Sequence, residues 1–313
     1  MRSFCQKATV KIFLVFLILF SLHAEAQNPN RRLALINPDG LAIIPVMEGW
    51  FDNADGTTSI SFGYINRNAK PVEIPLGMNN NVSPAQFDGM QPTHFAPGRH
   101  TGVFTVTLPA DMRNVDAWWS IRTDDHEANK VPGRVGAAAY ELDFILPRPQ
   151  GTLQPLASFD NSMEKSAGLF ALMEDYAGQA KVGEPVTLTV NVEDPSDRDP
   201  TDPRFVEALP LGVHWFKHQG PGKVEFTRHE STPMIEASDE DPRFRRFRGG
   251  IDPDDQSAVE VAGGRGTAKV IATFSEPGEY ILRTKIENFR APDSSNGDQC
   301  CWTNIFQRIQ VGN

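Results

Sequence analysis

From Leu41 to the end of this 313-residue chain, apolar and polar side chains alternate in short stretches separated by Gly, Pro, Asn and Asp. A period of two is the repeat of a β-strand, whose successive side chains point to opposite faces, and it does not fit a helix. Ile60, Phe62 and Tyr64 share one face after an Asp55-Gly56 turn, and Phe104, Val106 and Leu108 share one in "GVFTVTLP". Tyr140, Leu142, Phe144 and Leu146 do the same in "AAYELDFIL", as do Val186, Leu188, Val190 and Val192 in "EPVTLTVNVEDP". In "DAWWSIR" the adjacent Trp118 and Trp119 must face opposite sides, so one of them leaves the core of its own sheet. Short strands at this spacing, with 25 Gly and 24 Pro to supply the turns, predict an all-β protein of sandwich type.

The strands fall into two blocks. Residues 148–181 open with "RPQG", contain "SMEKSAGLFALMEDYAG", and read as a linker holding a short helix or a docked loop. The expected organisation is therefore a first β-sandwich over 27–147, the linker over 148–181 and a second sandwich over 182–313, each long enough to bury a core. The second block carries an acidic and arginine-rich insertion at about 228–264, whose "RFRRFR" at 243–248 is expected to be an amphipathic edge paired with nearby carboxylates.

Residues 1–26 read as a secretory signal peptide: Arg2, Lys7 and Lys11 precede an apolar run from Ile12 to Leu22 that ends in Ala24-Glu25-Ala26. That run is shorter than the roughly 20 residues a bilayer requires, and no later segment is as apolar, so no membrane span is expected in the mature chain. A secreted or periplasmic location follows. The chain has 30 Lys+Arg against 40 Asp+Glu, and losing the signal peptide moves the net charge from −10 to −12. An acidic protein without a long basic stripe is not expected to bind nucleic acid.

Three stretches of the second block carry a family likeness: "GEPVTLTVNVEDP", "VHWFKHQGPGKVEF" and "ATFSEPGEYILRTKIEN". With Trp215, Gly220-Pro221-Gly222 and the corner from Phe274 to Tyr280, residues 182–313 resemble the PKD-like and related immunoglobulin-like domains of exported bacterial proteins, although that pattern lacks so long an insertion. The resemblance implies a β-sandwich and no particular activity, since such domains serve as adhesive modules, spacers and carbohydrate-binding accessories. "FAPGRHTGVFTV" echoes the corner in the first block, with Phe95, Pro97 and Gly98, so two immunoglobulin-like sandwiches in tandem are expected. The chain as a whole also resembles exported bacterial proteins.

Linear motifs for catalysis are missing: there is no G-x-S-x-G elbow and no phosphate-cradling loop, and neither His126-Glu127 nor His229-Glu230 is followed by a second His at the spacing of a zinc helix. On a strand His214 and His218 stand about 13 Å apart, beyond the grip of one metal ion, and on the face opposite Val213 and Trp215 they are expected to be exposed or at an edge. His94 and His100 flank the Pro-Gly corner of the first block. In "EDPSDRDPTDPRF", Asp194, Asp197, Asp199 and Asp202 crowd a proline-stiffened loop, where mutual repulsion is relieved by water or by a hard cation such as calcium.

Cys300 and Cys301 are the only thiols left after signal removal. They admit a strained bond between neighbours, two free thiols on opposite strand faces, or cross-links to another chain; the vicinal disulfide is expected in an oxidising compartment. In an immunoglobulin-like sandwich the loops holding the aspartates and the cysteines emerge at one end. The expected site is therefore a surface on which Trp302 and the disulfide form an apolar platform while the four aspartates accept hydrogen bonds or hold calcium. A competing arrangement packs Trp302 against the linker or the other domain. These features predict an exported, non-enzymatic binding or adhesion protein of the cell envelope, with carbohydrate or another exported protein as partner. The alternatives are a secreted or periplasmic hydrolase with an inter-domain site, and a structural spacer.

Overall fold

The Asp55-Gly56 turn closes the hairpin the alternation predicts, joining β1 (Ile44–Asp52) to β2 (Thr58–Asn66). Gly56 sits at φ +84°, and the Asp55 carboxylate accepts from the Thr57 amide (3.0 Å) and hydroxyl (2.7 Å), which fixes the reversal. The computed structural model describes residues 39–142, 148, 150–159, 164–232, 254–289, 291 and 298–313. The expected signal peptide, Phe144, Leu146 and the "RFRRFR" run lie outside them.

In the first sandwich β2 pairs on its far side with β6 (Gly98–Leu108), giving the order β1-β2-β6. A second sheet, β4 (Asn80–Ser83), β7 (Ala117–Ile121) and β8 (Asn129–Gly133), faces it, and β3 (Val72–Glu73) pairs with β5 (His94–Phe95) in a small ribbon. Ile60, Phe62, Phe104, Val106 and Leu108 meet Val82 and Trp119 in the core between the sheets. Phe62 stacks on Phe104 at 5.2 Å, with Trp119 edge-on to both. Trp119 is fully buried, its indole nitrogen donating to Asn80 Oδ1, while Trp118 is 38% exposed, as adjacent residues of one strand require.

The second sandwich has its own core between two larger sheets. One has the order β10 (Leu172–Asp175), β18 (Trp302–Gly312), β17 (Gly278–Glu287), β13 (Leu211–Gln219), β15 (Ala258–Val261), with β11 (Ala180–Lys181) also on β18. The other has the order β14 (Val224–Arg228), β16 (Arg265–Phe274), β12 (Val186–Glu193), β9 (Leu156–Ser158). Val186, Leu188, Val190 and Val192 all point inward, towards Val213 and Trp215. The corner residues meet in space: Phe274 and Tyr280 are 4.8 Å apart, and the Tyr280 hydroxyl donates to Glu276 O at 2.9 Å, closing a tyrosine corner. Gly220 is required there, because a Cβ would lie 2.5 Å from the Tyr280 ring. The fold is all-β and immunoglobulin-like.

Three local expectations change. No helix forms in the described part of 162–178: Leu172–Asp175 is a strand running parallel to β18, and β9 and β11 likewise join sheets, so the expected linker is woven into the second sandwich. "AAYEL" is a 3-10 turn at Ala138–Tyr140 rather than a strand, for the chain bends at Gly136 (φ +107°) and the Tyr140 amide bonds back to Ala137 O. The end of the expected insertion, Ala258–Val261, is an ordinary strand on β13.

Residues Gly40–Asn313 form one compact unit, because the outer face of β13-β17-β18 is covered by the first sandwich rather than by water. Gly102 O accepts from both Arg283 Nη1 (3.2 Å) and Asn304 Nδ2 (2.8 Å). Gln219 Nε2 donates to Gly89 O and Gln91 O, His218 Nε2 to Met90 O, and the Thr93 amide to His218 O. His218, expected to be exposed or at an edge, is thus enclosed at 1% exposure, while His214 is only partly buried beside Glu287. At Gly102 (φ +58°) a Cβ would lie 2.4 Å from the Trp302 ring. Gly102→Ala should therefore lower unfolding stability by about 2–4 kcal/mol, from left-handed strain plus overpacking. Urea unfolding checks this; a loss below about 0.5 kcal/mol would show that the seam tolerates a side chain.

Candidate functional site

The expected cysteine–aspartate surface is formed differently. Cys300 and Cys301 are joined in a vicinal disulfide within a 3-10 turn at Gln299–Cys301. Both are fully buried, in a cluster with Leu169 and Trp302 against which Phe51, Leu142 and Phe289 pack. Trp302 is 1% exposed, its ring against Gly102 and the Lys285 ammonium 5.5 Å from its centroid. Trp302 therefore takes the competing arrangement, packed against the first sandwich, and not the exposed platform: β18 starts at the junction, where the first sandwich excludes water from the ring.

The aspartates are occupied within their own loop. Asp194 accepts from Ser196 and, at 2.7 Å, from Arg198, with both ion-pair partners largely buried. Asp199 accepts from the Thr201 amide and hydroxyl, and Asp202 from Arg204. Asp197 is exposed, and its carbonyl packs against Gly151. Among the described residues the four carboxylates do not gather into a three-ligand group. This loop and the Trp302 segment are bridged by residues 151–155: Arg198 donates to Thr152, and Gln154 to Trp302 O.

A different site lies at the junction. β15 covers only the Leu211–His214 part of β13, so among the described residues the edge from Trp215 to Gln219 has no neighbouring strand on that side. The β3–β5 ribbon approaches this edge but leaves a cleft of about 790 Å³, within the usual size range of ligand pockets. Its walls come from both sandwiches: Tyr64, Lys70, Glu73 and His94 on one side, and Phe216, Lys217, Lys223, Phe226, Glu276 and Arg283 on the other. Phe216 and Phe226 are half-buried, while Lys70 and Lys223 are exposed.

Charge in the cleft is arranged around two groups. At the rim Glu73 Oε1 accepts from His94 Nδ1 (2.6 Å) and from Lys217 Nζ (3.1 Å), and Lys217 also donates to Gly222 O. On the inner wall Arg283 lies 4.5 Å over the Phe216 ring, its Nη1 held by Gly102 O and Asn304 Oδ1, while its Nε has no hydrogen-bond partner among the described residues. Burial pulls the Arg283 guanidinium down to about 10, which leaves it charged at neutral pH. Along the same strand Glu287 is opposed by burial but pulled down to about 2 by Lys285 and His214. Burial also holds His218 at about 3 and His100, stacked on Tyr64, at about 4.

Arg283 and the cleft were not expected from the sequence. The available signal was that face of β13, β17 and β18 itself: Phe216, Ile281 and Phe306 share it with His218, Arg283 and Asn304, too apolar a mixture for a face open to water.

No protein-family model matches the chain, and no curated protein matches it. Among solved structures it is similar to the D0-D1 domain of intimin (13% identity, 87% of this chain and 100% of that one, TM-score 0.23). It is also similar to the N-terminal domain of PorA (13%, 50% and 97%, TM-score 0.27). A third is CfaE, the adhesive subunit of the CFA/I fimbria of enterotoxigenic Escherichia coli (10%, 88% and 82%, TM-score 0.24). Likeness at this level carries no functional inference.

Two outcomes follow from burial. A histidine kept neutral in the fold, with a usual value near 6.5 when unfolded, lets only the unfolded chain take a proton as pH falls below about 6.5. Its stabilisation is complete above that pH and declines towards its folded value, so His218 should cost about 2 kcal/mol of stability between pH 7 and pH 5. Urea midpoints across this range should fall less steeply for His218→Gln, and equal slopes would place His218 in water. The disulfide should resist mild thiol reductant in the native protein and yield in urea, read by alkylation and mass shift; rapid native reduction would mean that the seam is open.

Proposed function

We propose that the protein is an exported binding protein of the cell exterior that takes its ligand into the cleft between its two sandwiches. The observation that carries this reading is the composition of the cleft: two half-buried phenylalanine rings beside lysines and an arginine, on walls drawn from both sandwiches. Aromatic faces with a few convergent polar groups make a recognition pocket. Carbohydrate suits it well, because a sugar ring offers an apolar C–H face to the phenylalanines and hydroxyls to Glu73, His94 and Lys217. Attachment at the cell envelope is the role such binding would serve, and the signal-like segment 1–26 together with the buried disulfide supports an exterior location.

A hydrolase is the second reading, and one feature favours it: Glu73, flanked by His94 and Lys217, is a carboxylate poised at a cleft mouth. Turnover of a bound saccharide that disappears in Glu73→Gln would establish it.

An array of oligosaccharides, probed with and without calcium chelator, tests the binding reading and the calcium expectation together. Phe216→Ala/Phe226→Ala should weaken saccharide binding by about tenfold or more, as loss of central aromatic contacts costs on the order of 1–2 kcal/mol. Unchanged binding in a variant that still folds would move the site elsewhere.

A further inference from the structure

The cleft does not share the charge of the protein around it. The chain is acidic, at −10, yet Lys70, Lys217, Lys223 and Arg283 line the cleft against only Glu73 and Glu276. Glu73 is already matched by Lys217 and His94. Lys70 and Lys223 make no ion pair among the described residues, so the cleft holds a surplus of positive charge.

Arg283 shows where that surplus is most costly. Arg283 is 3% exposed, and both partners of its Nη1 are neutral oxygens: the Gly102 carbonyl and the Asn304 amide. Nε is buried and has no hydrogen-bond partner among the described residues. A buried guanidinium is normally matched by a carboxylate, and its planar fork suits an oxyanion. Among the described residues no carboxylate meets Arg283; its face is covered by the Phe216 ring.

Phe216 and Phe226 supply the apolar part. Phe216 touches Arg283, so a ligand laid on the ring carries any acidic substituent towards the guanidinium, while Lys70 and Lys223 stand exposed at the opening. Resting on the cleft reading above, we propose that the ligand is an acidic saccharide, whose carboxylate or sulfate is taken by Arg283 with Lys70 and Lys223 while its ring lies on Phe216 and Phe226. The chain's net charge of −10 disfavours such a ligand in general, so attraction depends on the local surplus of positive charge in the cleft.

The test uses the whole chain against immobilised uronate-containing, sulfated and neutral oligosaccharides, with sodium sulfate as a free competitor. Acidic members should bind and neutral ones should not. Lys70→Gln/Lys223→Gln, at two exposed positions that leave the fold intact, should weaken acidic binding about tenfold and flatten its dependence on salt. Arg283→Met should abolish it, with a melting curve to show whether that variant is folded; the lysine pair decides the matter if it is not. Sulfate at millimolar concentration should compete. Neutral members binding as well as acidic ones, with loss in Phe216→Ala/Phe226→Ala but not in the lysine variant, would overturn the anionic inference and leave the cleft reading standing. Acidic binding indifferent to both variants, or no saccharide binding at all, would overturn both.

Discussion

The Gly102 carbonyl receives Arg283 and Asn304 from the second sandwich, and its Cα is pressed against the Trp302 ring. This contact joins β6 to both β17 and β18, and it closes only because residue 102 has no side chain and can adopt φ +58°. From it follows the burial of His218, Phe306 and the disulfide cluster, and the approach of the β3–β5 ribbon to the open edge of β13 that makes the cleft. Two immunoglobulin-like units joined by a loose linker would have none of these features. Strands β9, β10 and β11, drawn from the connecting segment, tie it into the second sandwich.

The seam is polar as well as tight. Lys285 and Glu287 form a largely enclosed charged row along β17, with His214 of β13 beside Glu287, and Arg283 stands on the same strand with no carboxylate partner among the described residues. Such groups contribute little net stability, because desolvation offsets their attraction, but they fix one docking geometry, since any slip would leave a buried charge unmatched. Stability comes mainly from the two apolar cores and the aromatic contacts, while the charged row sets the alignment. An arginine left short of a partner at the end of that row, on the wall of an open cleft, is the point where alignment passes into recognition.

Much of the fold is legible in the sequence, and the reasons are local. Alternation places Ile60, Phe62 and Tyr64 on one face and separates Trp118 from Trp119; Pro and Gly announce the corner that Tyr280 closes. The seam is not legible in this way, because period two says which side chains share a face but not what covers it. The alternation alone therefore puts His214 and His218 on an exposed or edge face, and leaves Trp302 open between a loop-tip platform and packing against the other domain. The vicinal disulfide was anticipated, whereas its burial depends on Phe51 and Leu142, more than 150 residues earlier in the chain. Lys70 and Arg283, remote in sequence, form one site only because two sandwiches dock, and no linear motif could bring them together.

Differential scanning calorimetry of the signal-free chain tests the docking most directly. One transition is predicted, with equal calorimetric and van't Hoff enthalpies, because neither sandwich can unfold without exposing Trp302, His218 and the charged row. Two resolved transitions, one sandwich melting while the other stays folded, would contradict a shared seam and the cleft that depends on it.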